Sequence, residues 1–239
     1  MNKDIAIATI SWARNREEEE QLRVSLQKLA ALQVPVFITD GGSSTDFQNF
    51  LHSLPQFTVL AAKGLWAQAK SSLAGAARSG AQTILYTEPD KEAFFSAHLP
   101  QLLQKKPVGK DEGVVLASRS ANGFASFPAF QQMTETTINN CCREIIGKEV
   151  DYCYGPFFFN SRLVAYLDVL PENCGWGWRP FLFVVAHRLG LPVNALTGDF
   201  ACPPDQCTDD AGERIYRMKQ LAQNIEGMVL ATAVSLHEN

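Results

Sequence analysis

The chain has 239 residues, 46% of them hydrophobic and 19% charged, a balance that buries a substantial core and excludes a disordered or collagen-like chain. A net charge of -4, with an isoelectric point near 5.6, excludes a general nucleic-acid binder, because contacts to backbone phosphates need a basic surface. The length suits one large α/β domain.

Ile5 to Ile10 is short and almost wholly apolar, and it reads as a buried parallel strand. The residues before it, Met1 to Asp4, include one lysine, and the apolar run is too short for a secretory leader. No later run approaches membrane-spanning length, so the expected location is cytoplasmic. Asn15 followed three residues on by Glu18 resembles a helix cap, and Leu22, Leu26 and Leu29 recur at helical spacing, predicting a helix over 16–31. Val34 to Thr39 is a second strand running into the dense turn Asp40-Gly41-Gly42-Ser43-Ser44. A helix carrying Phe47, Phe50, Leu51 and Leu54 follows, then a strand over 58–61. A helix with Leu65, Ala69, Leu73 and Ala76 on one face ends at Gly80, and a strand over 83–86 leads into Thr87-Glu88-Pro89-Asp90.

The second half is less regular. It predicts a strand over 113–118, a helix over about 130–146, and an aromatic extended run from Tyr152 to Phe159. Leu163, Leu167 and Leu170 mark a short helix stopped by Pro171, and Gly175-Trp176-Gly177-Trp178 reads as a loop that opens a further helix ending at Gly190. A strand near 193–196 and a long final helix from about 208 complete the chain. Strands alternating with helices imply right-handed βαβ units and a mainly parallel sheet flanked by helices. The chain is read as one domain, with 1–120 a nucleotide-binding half and 121–239 an acceptor-side half.

Ligands of such sheets collect at the carboxyl ends of the strands. Two acidic turns, at Asp40 and at Glu88 to Asp90, fall there. Asp40 is placed to accept the imino hydrogen of a uracil or guanine base, and Asp before Gly also shapes turns by itself. Glu88 and Asp90 are spaced to share Mg2+ or Mn2+ with a diphosphate; an acidic surface turn beside Lys91 and Glu92 is the plainer reading. Arg14, Lys63, Lys70 and Arg119 are available to offset phosphate charge. Trp66, Trp176 and Trp178 are candidates to stack on a sugar or base, the pair at 176 and 178 above all, since flanking glycines fit a loop.

Other chemistry finds little support. The six cysteines contain no CxxC pair; Cys202 and Cys207 lack a second pair to complete a zinc site, and free thiols are expected. His52, His98, His187 and His237 sit in no nucleophile or metal motif, and His187 reads as a hydrogen-bonded structural residue in an apolar helix. No GxSxG, HExxH or P-loop occurs.

In order, these motifs resemble the GT-A glycosyltransferases of the family 2-like group, and phosphoglycerate glycosyltransferases most. Ile5 to Asn15 resembles the first strand and nucleotide-binding loop, and Ile38 to Ser44 the second strand with its Asp-Asp-Gly-Ser turn. Ala76 to Asp90 resembles the helix and strand that deliver the DxD motif; Tyr154-Gly155-Pro156-Phe157 and Gly175 to Trp178 resemble later acceptor-side elements. The resemblance implies a GT-A fold, a nucleotide-sugar donor contacted by Asp40, Arg14 and Lys63, a metal held by Glu88 and Asp90, and sugar or acceptor contacts from Trp176 and Trp178.

Three positions depart from the pattern: DxD is ExD, Gly41 stands where a second aspartate is expected, and Arg179-Pro180 follows the Gly-Trp loop where inverting members carry an acidic base. Without that base a retaining transfer is favoured over an inverting one. Some retaining relatives place a further metal-binding histidine near the segment that here reads Cys202 to Gln206, where Asp205 or Asp199 stands instead. A catalytically inactive relative that binds a nucleotide or a partner is the alternative. A sugar-phosphate nucleotidyltransferase is disfavoured because residues 8–16 contain no glycine. The acceptor and any homo-oligomeric state stay open.

Overall fold

Asn15 opens the first helix as its spacing to Glu18 predicts. Its side chain accepts the Glu18 amide at 3.0 Å, while the Glu18 carboxylate accepts the Arg14 amide at 2.8 Å, so two helix-end donors are satisfied together. Arg14 returns a charged contact to Glu18 at 2.7 Å, and that hydrogen bond holds the Glu18 carboxyl below its ordinary range.

The computed structural model describes residues 4–105, 109 and 111–236; Met1 to Lys3 and His237 lie outside them, as does the side chain of Asp205. The chain is α/β and divides into two compact units, Met1–Lys110 with Pro156–Val164, and Asp111–Gly155 with Ala165–Asn239. The division therefore falls near 110 rather than 120, and a nine-residue segment of the later chain belongs to the first unit.

The first unit is built on β1 (Ile5–Ser11), β2 (Val36–Asp40), β3 (Phe57–Ala61), β4 (Thr83–Tyr86) and β6 (Phe157–Asn160), in the order β3-β2-β1-β4-β6. The first four are parallel, with Ser11 level with Asp40 and Ala8 level with Tyr86. β6 runs antiparallel to β4, Phe157 opposite Tyr86. The helices between them are α1 (Arg16–Ala30), α2 (Thr45–Ser53), α3 (Leu65–Arg78), α4 (Glu92–Ala97) and α5 (Leu99–Gln104). Ile7, Ala8, Ile38 and Leu85 are fully buried, which explains why these strands read as continuous apolar runs. Gly64 and Gly80 bracket α3 with φ of +96° and +84°, backbone that glycine adopts without a Cβ penalty.

The second unit pairs β5 (Val114–Arg119) in parallel with β7 (Val193–Gly198). Around them lie α6 (Ala121–Ala125), α7 (Ala129–Ile146), α8 (Trp178–Arg188) and α9 (Ala211–Ala233). α8 and α9 pack together, and so do α7 and α9. Under α9 runs a short 3-10 turn, Gly175–Gly177. A Cβ on Gly227 would overlap the Gly177 backbone; the two glycines let the chain segments touch.

Several expectations shift. The extended run expected over 152–159 is a strand only from Phe157, because Gly155 takes φ +127° and Pro156 has no amide to donate. Gly175 to Trp178 is not an open loop: its glycines serve the contact with α9. The expected short helix near Leu163 is a 3-10 stretch, Ser161–Val169. His187 is exposed in the last turn of α8, not a buried structural residue. Ile215 and Met218 of the final helix face outward, 51% and 50% exposed.

Candidate functional site

Because β1, β2 and β4 are parallel neighbours, their carboxyl ends lie along one edge of the first unit. Asp40 ends β2, and Thr87 still pairs with Ala8 of β1 at 3.2 Å just before Glu88. The Asp40 turn and the Glu88 to Asp90 segment thus flank β1, two strand spacings or roughly 10 Å apart. A side chain from α3 holds this edge: the buried Gln68 amide donates to Ser11 O at 2.7 Å and Thr39 O at 3.1 Å. A Cβ on Gly41 would stand 2.9 Å from that amide nitrogen. Gly41 and Gln68 therefore occupy complementary space, which accounts for glycine where an aspartate was expected.

The Asp40 carboxylate is 4% exposed and turned inward. One oxygen accepts Gly42 N at 3.0 Å and Ser43 N at 2.9 Å; the other accepts Ser11 Oγ at 3.0 Å and Ser43 Oγ at 2.6 Å. Gln48 Nε2 approaches at 3.4 Å. Four close donors occupy a carboxylate's lone pairs, so the expectation that Asp40 itself accepts a base N–H is corrected: Asp40 shapes the turn. Ser43, in turn, accepts the Ala13 amide at 2.9 Å and joins the loop after β1 to the turn after β2.

Two recesses open beside this turn. One, of 940 Å³, is lined by Trp12, Arg14, Asn15, Arg23, Ser43 and Asp46 among others. Its Trp12 is 57% exposed, and the Arg14 side chain at its rim is 66% exposed. The other, of 360 Å³, has Asp40, Gln48, His52 and Lys63 in its wall. Glu88 is half-buried and Asp90 exposed. Ser25 Oγ ties their loop to α1 through Pro89 O at 2.6 Å, and Lys91 Nζ stands 3.5 Å from Asp90. No group of three or more His, Cys, Asp or Glu able to hold a metal occurs among the described residues.

The remaining candidates belong to other surroundings. Trp176 and Trp178 are 7% and 0% exposed; Trp176 Nε1 donates to Tyr216 OH at 2.7 Å. They pack the interior of the second unit, which corrects the expectation of stacking faces for sugar or acceptor. Trp66 is buried in α3. Arg119 is also buried in the second unit, donating to Asp151 and Glu135 at 2.6 Å each, so it is not a cation for phosphate. Arg179 stands where a catalytic base was sought; it is buried and donates to Gly155 O at 3.2 Å. Asp199 accepts a hydrogen bond from Ser120. Gln68 and Ser43 were not singled out from sequence, since nothing local marks a helix glutamine that binds strands 57 and 29 residues away.

No protein-family model and no curated protein sequence matches the chain. Solved structures do. Glucosyl-3-phosphoglycerate synthase from Mycobacterium tuberculosis, in complex with Mn2+, UDP-glucose and phosphoglyceric acid, is similar with a TM-score of 0.68 and 14% identity, over 98% of this chain and 81% of that one. The same enzyme with Mg2+ and UDP gives 0.65 and 13%, over 98% and 81%. A further mycobacterial protein gives 0.65 and 14%, over 98% and 76%. At this identity the likeness concerns the course of the backbone, and the fold that the chain adopts is the GT-A fold of nucleotide-sugar glycosyltransferases.

Proposed function

We propose that the chain is a glycosyltransferase that takes a nucleoside-diphosphate sugar together with Mg2+ or Mn2+ at the carboxyl edge of β1, β2 and β4. The observation that carries this reading is the convergence of the Asp40 turn and the Glu88-Pro89-Asp90 segment on that edge, in a fold shared with an enzyme solved with Mn2+ and UDP-glucose. UDP is the first donor nucleotide to test.

The donor set fits a hard divalent ion. Two carboxylate oxygens, one half-buried and one exposed, suit Mg2+ or Mn2+, which commonly complete their shells with phosphate and water. Glu88 and Asp90 would hold the ion, with Lys91 beside Asp90 giving way or turning to phosphate. When bound, the metal neutralises charge on the departing diphosphate. Arg14 and Lys63, at the rims of the two recesses, add positive charge to the donor side. Asp40 acts through the turn that it closes. A retaining transfer is favoured, since the base position of inverting enzymes holds a buried arginine followed by proline.

A second reading, a binding protein without transfer, draws on the inward Asp40 carboxylate and the burial of both tryptophans. One experiment separates the two. Thermal unfolding with UDP, GDP and their sugar conjugates, with and without Mn2+, is followed by a donor-hydrolysis assay, because a ligand of the native state raises the melting temperature. We expect a metal-dependent rise with one nucleotide, its loss in Asp90→Ala, and measurable donor turnover. Binding without turnover of any donor would favour the second reading. Folded protein that responds to no nucleotide would overturn the first reading and leave an inactive relative that binds a partner.

A further inference from the structure

The outer face of α9 is apolar in a repeating pattern that the fold of one chain does not use. Asn224, Gly227, Met228 and Ala231 point into the second unit. On the opposite side Ala211, Ile215, Met218, Ala222, Ile225 and Val229 recur at alternating steps of four and three. At 100° per residue they fall within an arc of about 80°, centred about 150° from the buried face. Ile215, Met218 and Val229 are 51%, 50% and 61% exposed, and Ala211 and Ala222 are exposed as well. Steps of four and three, here over two and a half repeats, are the spacing of a coiled-coil seam, not the wider stripe of a helix lying on a core.

We propose that this seam is the interface of a homodimer in which α9 packs antiparallel against α9 of a second copy. The flanking charges select the occupant and its direction. Lys219 and Glu226 take the same flanking position one repeat apart, and neither forms an ion pair within the chain among the described residues. With a two-fold axis between residues 223 and 224, Met218 faces the partner's Val229, and Ala222 faces the partner's Ile225. Each Lys219 then lies beside the partner's Glu226, so both ends of the seam gain an attraction. Shifting the register by one repeat sets Lys219 against the partner's Lys219. A parallel pair sets Arg214 against the partner's Lys219. Like charges oppose both alternatives, and a self-complementary patch is what a two-fold interface requires.

The test is the solution mass of the full chain by sedimentation across a concentration series, with circular dichroism to verify folding of each variant. We expect wild-type protein at twice the mass of one chain, and monomer for Met218→Asp. Lys219→Glu should weaken association by roughly tenfold, since two exposed attractions become repulsions, and Lys219→Glu with Glu226→Lys should restore it. A wild-type monomer throughout the series, or a dimer indifferent to both Met218→Asp and Lys219→Glu, overturns the interface. Tighter association of Lys219→Glu overturns the antiparallel arrangement.

Discussion

Replacing Arg119 with leucine removes a cation seated between two buried carboxylates. The Arg119 side chain is 1% exposed, and those of Glu135 and Asp151 are 6% each. Its guanidinium donates to Asp151 at 2.6 and 3.1 Å and to Glu135 at 2.6 Å, and it lies over the rings of Phe124 and Phe127. Leucine keeps apolar volume against those rings, so the cost comes from the stranded carboxylates. Breaking a buried pair from one side costs about 3–5 kcal/mol. The lower end applies here, because Asp151 keeps the Asn139 and Cys153 donors and Glu135 keeps Gln131, with Arg217 4.0 Å away. We therefore expect a loss of about 3 kcal/mol in urea unfolding at pH 7.

The pH dependence gives the sign. Burial disfavours the Asp151 carboxylate, but its hydrogen bonds and charge interaction with Arg119 prevail and lower its pKa. In the native protein this contribution is present above the ordinary carboxylate pKa and is lost as pH falls through the lowered one. In Arg119→Leu burial acts with less opposition, the Asp151 pKa rises, and protonation relieves the penalty. The stability difference between the two proteins should accordingly shrink from pH 7 toward pH 4. A loss under about 1 kcal/mol, no larger than an ordinary surface pair, or a difference independent of pH, would refute the reasoning.

Two further outcomes follow from close contacts. Gly41→Ala should cost about 1 kcal/mol by displacing the Gln68 amide from Ser11 and Thr39; Gln68→Ala should add little in that background, and full additivity in a double-mutant cycle would argue against the shared space. Cys202 and Cys207 sulfurs lie 2.9 Å apart near the surface, whereas burial pushes the Cys142 thiol up to about 12. Hydrogen peroxide should therefore join the first pair, two thiols and one peroxide giving a disulfide and two waters. Mass spectrometry should show two of the six thiols lost together, and not in Cys207→Ser; retention of all six, or loss of other thiols first, would count against it.

The succession of strands and helices and the placing of both acidic turns at strand carboxyl ends were legible because they rest on local signals: apolar runs of strand length, glycines at helix ends, and an acidic turn after each run. Ser11 and Asp40 fall level because β1 and β2 do. The direction of a side chain was not legible. Nothing near Asp40 announces that Ser11, Ser43 and two amides close on its carboxylate, since those donors are gathered by strand pairing and by the turn's own path. Trp176 and Trp178 misled for a related reason. Glycine marks both an exposed loop and a close approach, and only the position of Gly227, 50 residues after Gly177, distinguishes them. The long final helix was likewise legible, but which of its apolar residues face the core depends on where α7 and α8 lie.

The return of β6 to β4 also constrains how this polypeptide can be made and cut. During synthesis the four parallel strands emerge first, and β4 then presents an unpaired edge next to Tyr86 until about 70 further residues have appeared. Phe157, Phe158 and Phe159, all buried, are the cover for that edge. A fragment ending at residue 110 would expose it permanently, inviting the strand-to-strand association to which open edges are prone. A self-sufficient fragment of the first unit must therefore carry residues 156–164 joined back through a linker, and slow completion of this non-local pairing leaves newly made chains vulnerable to association.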